Sequence, residues 1–116
     1  MPDTSPVRSP KTYTLCVYCG SRVGSEQAYA SAASEVGRLI GEQGWGLVYG
    51  GGNVGLMGIL ADAALVAGAH VTGVIPRSLM AREVGHAGLQ TLHVVDTMHE
   101  RKQLMAENAD AFLALP

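Results

Sequence analysis

The chain has 116 residues, 47% of them apolar and 16% charged, with 15 glycines. That length suits one domain around one core, and the low charge excludes a disordered or coiled-coil chain. A formal net charge of −2 gives no global basic field for a nucleic-acid backbone, so an anionic ligand needs a local site.

Residues 1–12 hold three prolines and two serines. They lack the apolar stretch of a signal peptide and read as a flexible tail ahead of one domain over residues 13–116. Residues 13–19 are β-branched and aromatic in part and predict a first strand, closed by Gly20-Ser21. Ser25 offers an N-cap with Glu26 in the first turn. Tyr29, Ala32, Ala33, Val36 and Ile40 then recur at helical spacing, and Gly44 is placed to end that helix. Residues 45–49 predict a second strand, which runs into Gly50-Gly51-Gly52-Asn53-Val54-Gly55. A helix over about 55–67, stopped by Gly68, is apolar almost all round and is expected to be buried.

Residues 70–75 predict a third strand, stopped by Pro76. Residues 77–88 lack a clean period and read as a loop with room for one helical turn. Residues 89–95 predict a fourth strand. Thr97 and Glu100 form a capping box for a helix to about Asn108, and residues 111–115 predict a fifth strand.

Strand alternates with helix throughout, which implies a Rossmann-like, doubly wound parallel α/β sheet with helices on both faces. The fifth strand has no following helix to cover it, so the sheet is expected to be truncated there. No apolar run reaches the length of a membrane span.

Cys16 and Cys19 are spaced C-x-x-C within one strand, on opposite faces, and read as packing thiols rather than a redox pair. No metal is expected: there is no second cysteine pair, and His70, His86 and His93 show no ligand spacing, while His99, one position from a helix start, reads as a surface or capping histidine.

Gly50-x-Gly52-x-x-Gly55 sits between a strand and a helix. Such a turn can offer backbone N–H groups and a helix dipole to a phosphate. It can equally be a tight turn that uses glycine only for close packing. No acid ends the third strand to hold ribose hydroxyls, so a mononucleotide is expected rather than NAD.

In the helix opening Met98-His99-Glu100-Arg101-Lys102, about 100° per residue puts Met98 and Met105 on one line, with Arg101 on that apolar side. A buried charge needs a partner, here a carboxylate or a ligand phosphate. The alternative is a snorkelling arginine whose stem covers the methionines. Lys102 lies on the other flank of that stripe. Glu83 falls in the irregular segment on the carboxyl-end side of the sheet, where ligands bind in open α/β folds. Asp110 is expected to open the fifth strand.

Three segments carry a family resemblance. Val48-Tyr49-Gly50-Gly51-Gly52-Asn53-Val54-Gly55-Leu56-Met57-Gly58, Met98-His99-Glu100-Arg101-Lys102 and Asp110-Ala111-Phe112-Leu113-Ala114-Leu115-Pro116 resemble the LONELY GUY proteins, long labelled lysine decarboxylases. Cys19-Gly20-Ser21 fits as well, and the resemblance runs from about Thr14 to the last residue.

It implies a cytoplasmic, dimeric enzyme that hydrolyses the N-glycosidic bond of cytokinin riboside 5′-monophosphates to free base and ribose 5-phosphate. It implies Arg101 as catalytic, and Glu83, Lys102, Gly20, Ser21, Gly51 and Gly52 beside Arg101 at the substrate. The family continues after Leu-Pro with P-G-G-x-G-T-x-x-E, which supplies phosphate-binding backbone and a catalytic glutamate. The chain as written carries only Pro116 of that stretch and is expected to be inactive alone.

No cofactor is expected. The old decarboxylase label would need a Schiff-base lysine for pyridoxal phosphate, and the chain offers only Lys11 and Lys102. The competing reading is a non-catalytic nucleotide or molybdenum-cofactor carrier, since a related group with a similar fold carries that cofactor.

Overall fold

A computed structural model describes residues 13–19, 27–83 and 85–115. The elements are β1 (Thr14–Tyr18), α1 (Gln27–Glu42), β2 (Gly46–Tyr49), α2 (Gly55–Val66), β3 (His70–Pro76), a 3-10 turn (Arg77–Leu79), α3 (Met80–Glu83), β4 (Thr91–Val95), α4 (Met98–Glu107) and β5 (Ala111–Ala114). The five strands form one parallel sheet in the order β4-β3-β2-β1-β5. The expected Rossmann-like α/β architecture is present.

Strand alternation explains the two cores. In β1 and β2, Val17, Leu47 and Tyr49 face one side, where α1 and α2 cover them through Ala33, Ile40, Leu56, Leu60 and Ala64. Cys16, Val48 and Val74 face the other side and meet Met105 of α4. Helices thus lie on both faces. Helix α2 is less enclosed than its composition suggests: Val66 is 90% exposed and Asp62 is also exposed. The chain leaves α1 and α2 through Gly44 and Gly68, at φ of 75° and 96°, as a helix-ending glycine should. The capping box of α4 is formed: Thr97 Oγ1 accepts from the Glu100 N–H, and Glu100 Oε1 accepts from the Asp96 and Thr97 N–H groups. The expected N-cap of α1 at Ser25, with Glu26, lies outside the described residues, as does the tail over 1–12.

The ends of β1, β2 and β5 shift by one residue from expectation, and three further differences stand out. Strand β3 includes Pro76, which pairs with Val95. Residues 77–83 form two successive short turns, one 3-10 and one α-helical, where a loop with one helical turn was expected. Strand β4 starts at Thr91, not Leu89, because Leu89 packs against the α1–α2 core. Gln90 replaces the missing strand with its side chain, accepting from the Val71 N–H at 2.9 Å and donating to the Ala69 carbonyl. Asp110 precedes β5 as expected, and its Oδ2 accepts from the Thr14 N–H at 2.8 Å.

Both cysteines are free and pack on opposite faces, Cys16 with the α4 core and Cys19 with the α1–α2 core. Burial raises both thiols, and Cys19 is pushed up to about 11. At pH 8 that leaves a thiolate fraction of about 10⁻³ at Cys19. Alkylation by iodoacetamide at that pH should therefore run about a hundredfold slower in the native protein than in urea, followed by mass spectrometry. Labelling at the rate of a free thiol would show that the pair is reactive. Unfolded, the Cys19 thiol ionises near 9.0, and folded near 11. The contribution to stability is intact below pH 9 and is lost as pH rises towards 11.

Candidate functional site

Succession along the sheet runs outward from β1 to β4, then jumps back across to β5 on the far side of β1. This reversal leaves a crevice at the carboxyl ends of β1 and its neighbours, the ordinary ligand position in open α/β sheets. A pocket of about 160 Å³ lies there, walled by Tyr18 and Cys19 at the end of β1, Gly50 after β2, Glu83, and Met98, Arg101 and Lys102 of α4. Typical small-molecule sites run from roughly 300 Å³ upward. The described walls therefore enclose only part of a nucleotide-sized ligand.

Arg101 is the centre of the pocket. Its side chain is 11% exposed, and Nη2 lies 2.9 Å from Glu83 Oε1, itself on a side chain 15% exposed. Nε donates to the Val74 carbonyl at 2.9 Å, and Nη2 also donates to the Gly50 carbonyl at 2.6 Å. The apolar-side position thus corresponds to an inward arginine with a carboxylate partner, not a snorkelling one. Guanidinium has five N–H donors in a rigid fork. Nε and Nη2 are engaged, whereas Nη1 meets only the Met98 sulfur at 4.0 Å among the described residues. Glu83 gives Oε1 to Arg101, and no described residue bonds its Oε2. Among the described residues, a donor edge and a carboxylate oxygen are thus without a close partner on two groups that both line the same pocket.

The glycine turn makes this arrangement possible through close packing. A Cβ on Gly50 would stand 2.5 Å from Arg101 Nη2, and one on Gly52 would stand 2.8 Å from the Glu83 carbonyl oxygen and 2.7 Å from Met57 Cε. Gly51, at φ 81°, lies against Leu92 and β3. The packing explanation of these glycines therefore has direct support. Tyr49, fully buried in β2, braces the turn by donating its hydroxyl to the Gly52 carbonyl at 2.7 Å. Burial raises that phenol, and the Asp62 charge adds to the effect. Gly50→Ala should push the guanidinium away from Glu83 and lower stability by about 1–3 kcal/mol, read as a lower denaturant midpoint. An unchanged midpoint would show that Arg101 is not held by that contact.

Lys102 is exposed at the pocket wall. Gly20 and Ser21 lie outside the described residues. The sequence reading missed Tyr49, although a tyrosine in an aliphatic buried strand needs a hydroxyl partner and so carries a signal. It also missed Tyr18 and Met57 as pocket walls. Among the described residues no cluster of His, Cys, Asp or Glu could hold a metal, and no helix is long and apolar enough to cross a membrane.

A family model described as "possible lysine decarboxylase" matches residues 57–116. The cytokinin riboside 5′-monophosphate phosphoribohydrolase LOG of Oryza sativa subsp. japonica is 52% identical over 102 residues, covering 88% of this chain and 42% of the rice protein. The enzyme of that activity from Rhodococcoides fascians is 52% identical over 109 residues, covering 93% of this chain and 54% of its own. The chain thus spans about half the length of the curated relatives it matches. Among solved structures, the molybdenum cofactor binding protein of Rippkaea orientalis has a TM-score of 0.77 at 21% identity, covering 92% of this chain and 64% of that one. The Moco carrier protein of Chlamydomonas reinhardtii has a TM-score of 0.75 at 21% identity, covering 90% and 62%. At that identity the likeness is one of fold.

Proposed function

This chain belongs to the LONELY GUY family of possible lysine decarboxylases, and we propose that it forms the nucleotide-holding front of a phosphoribohydrolase acting on a cytokinin riboside 5′-monophosphate. One observation carries the reading: Arg101 is locked by Glu83, Val74 and Gly50, while among the described residues its Nη1 edge meets only the Met98 sulfur beside the crevice.

Cleaving the glycosidic bond builds positive charge on the ribose as the base departs. In this reading Arg101 donates from Nη1 to an oxygen of the nucleotide, and its ion pair fixes Glu83. The second oxygen of Glu83 faces the sugar, accepts from a ribose hydroxyl and adds negative potential where the positive charge develops. Lys102 supports the anionic end of the substrate. Gly51 and Gly52 do not line the pocket; Gly52 lets Met57 and Glu83 approach it by close packing, and Gly20 and Ser21 are taken as substrate contacts by family resemblance. The free thiols suit the reducing cytoplasm, and the assembly is taken to be a homodimer.

The test is chromatographic detection of free base from the N6-isopentenyl derivative of adenosine 5′-monophosphate, using the full-length protein. Base and ribose 5-phosphate should appear in equal amounts. Tight nucleotide binding without cleavage would overturn the enzyme reading in favour of a carrier.

A further inference from the structure

We propose that His86, held by Asp62, is a positioning residue for Glu83; the proposal rests on the catalytic reading above. The segment bearing Glu83 lacks an ordinary means of support. Neither the 3-10 turn nor α3 contains a fully buried residue, so packing alone does not fix the backbone that carries the Glu83 carboxylate. Hydrogen bonds do. The Asn53 N–H donates to the Glu83 carbonyl at 2.8 Å, and the His86 N–H donates to the Gly51 carbonyl at 2.9 Å. Between them Gly52 and Gly85 form an isolated antiparallel bridge. The segment is thus stitched to the glycine turn by a few backbone contacts.

The imidazole of His86 anchors the far end of that stitch. Its side chain is 8% exposed, and Nε2 lies 2.8 Å from Asp62 Oδ1 on α2. The Gly88 N–H donates to Nδ1 at 2.9 Å. That bond makes Nδ1 the acceptor and so assigns the proton to Nε2, which donates to Asp62. Both ring nitrogens are therefore used, one to hold the following turn and one to tie the segment to α2. Neither His86 nor Asp62 lines the crevice. The pair acts on the site only through the backbone that carries Glu83.

This arrangement has a distinct experimental signature in the full-length protein. Asp62→Ala and His86→Phe each remove the tie. Asp62→Asn keeps an oxygen to accept from Nε2 and serves as the conservative rescue. Hydrogen exchange should speed up in the 83–89 segment in the first two variants and stay at the wild-type level in the third. The kcat with the nucleotide should fall about tenfold in the first two, since displacing a reacting group by a fraction of an ångström is enough for that, while KM changes little and Asp62→Asn keeps wild-type turnover. Exchange unchanged in Asp62→Ala and His86→Phe would overturn the proposal, as would faster exchange with unchanged kcat. Faster exchange spread over the whole sheet would also overturn it, by reducing the pair to general stability. If the wild type cleaves no nucleotide, the proposed function fails. The tie is then judged by exchange together with the affinity for adenosine 5′-monophosphate, which must weaken in Asp62→Ala and recover in Asp62→Asn.

Discussion

Arg101→Ala should abolish nearly all nucleotide cleavage and also destabilise the fold by about 3–5 kcal/mol, the usual result of leaving one partner of a buried ion pair behind. Glu83, now only 15% exposed beside Arg101, would lose its counter-charge, and the Val74 and Gly50 carbonyls would lose their donor. Loss of one preorganised donor typically costs about 10²–10³ in rate. The two effects can be separated. Replacing both partners, as Arg101→Met with Glu83→Leu, should recover most of the stability, because a buried ion pair exchanged for apolar groups of similar volume is often neutral. Turnover should not recover. Denaturant titration and the base-release assay on the single and double variants give the answer. A double variant that regains activity would show that the arginine only fills space between the methionines.

Glu83→Gln should keep the fold, at a cost of about 1.5–3 kcal/mol, and lower kcat/KM about a hundredfold. The amide oxygen can accept from Arg101 as Oε1 does at 2.9 Å, so the guanidinium stays in place. What disappears is the negative charge, and hydrogen bonds made by charged groups are worth about 1.5–3 kcal/mol. A fall in KM-limited binding alone, with kcat unchanged, would mean that Glu83 grips the ground state and does nothing for the developing charge. Full activity in the variant would remove Glu83 from the chemistry.

The order and type of the elements were legible because the signals are local. Apolar alternation, helical spacing, the Thr97–Glu100 box and the terminating glycines all act within a few residues. Arg101 was legible in part: its place on the apolar side of α4 required a partner, but spacing offered no choice between a carboxylate and a ligand. Glu83 was harder. Its burial depends on the bridge between Gly52 and Gly85 and on the approach of α4, contacts that no window on the sequence contains. The start of β4 was misplaced for the same kind of reason, since Gln90 supplies by side chain what a longer strand would supply by backbone. The glycine cluster resembled a phosphate loop because both uses need the same absent Cβ. Only the neighbours of Gly50 and Gly52 reveal that arginine and glutamate approach them.

The position of β5 has a consequence for how the chain reaches this state. Strands β1 to β3 pair with neighbours one crossover away, as in Thr14 with Gly46 and Gly46 with His70. The other flank of β1 waits for a partner far downstream, since Leu15 pairs with Ala111. Long-range pairings pay their loop-closure entropy before any contact rewards them, so they form late. During synthesis the sheet can grow outward from β1 to β4 while one flank of β1 stays bare, its Cys16 face uncovered until α4 emerges. Arg101 arrives with α4, so the ion pair with Glu83 can form only after the first four strands have emerged. The crevice does not exist in any earlier species, and a ligand that needs it cannot assist folding until nearly the whole of this sheet is in place.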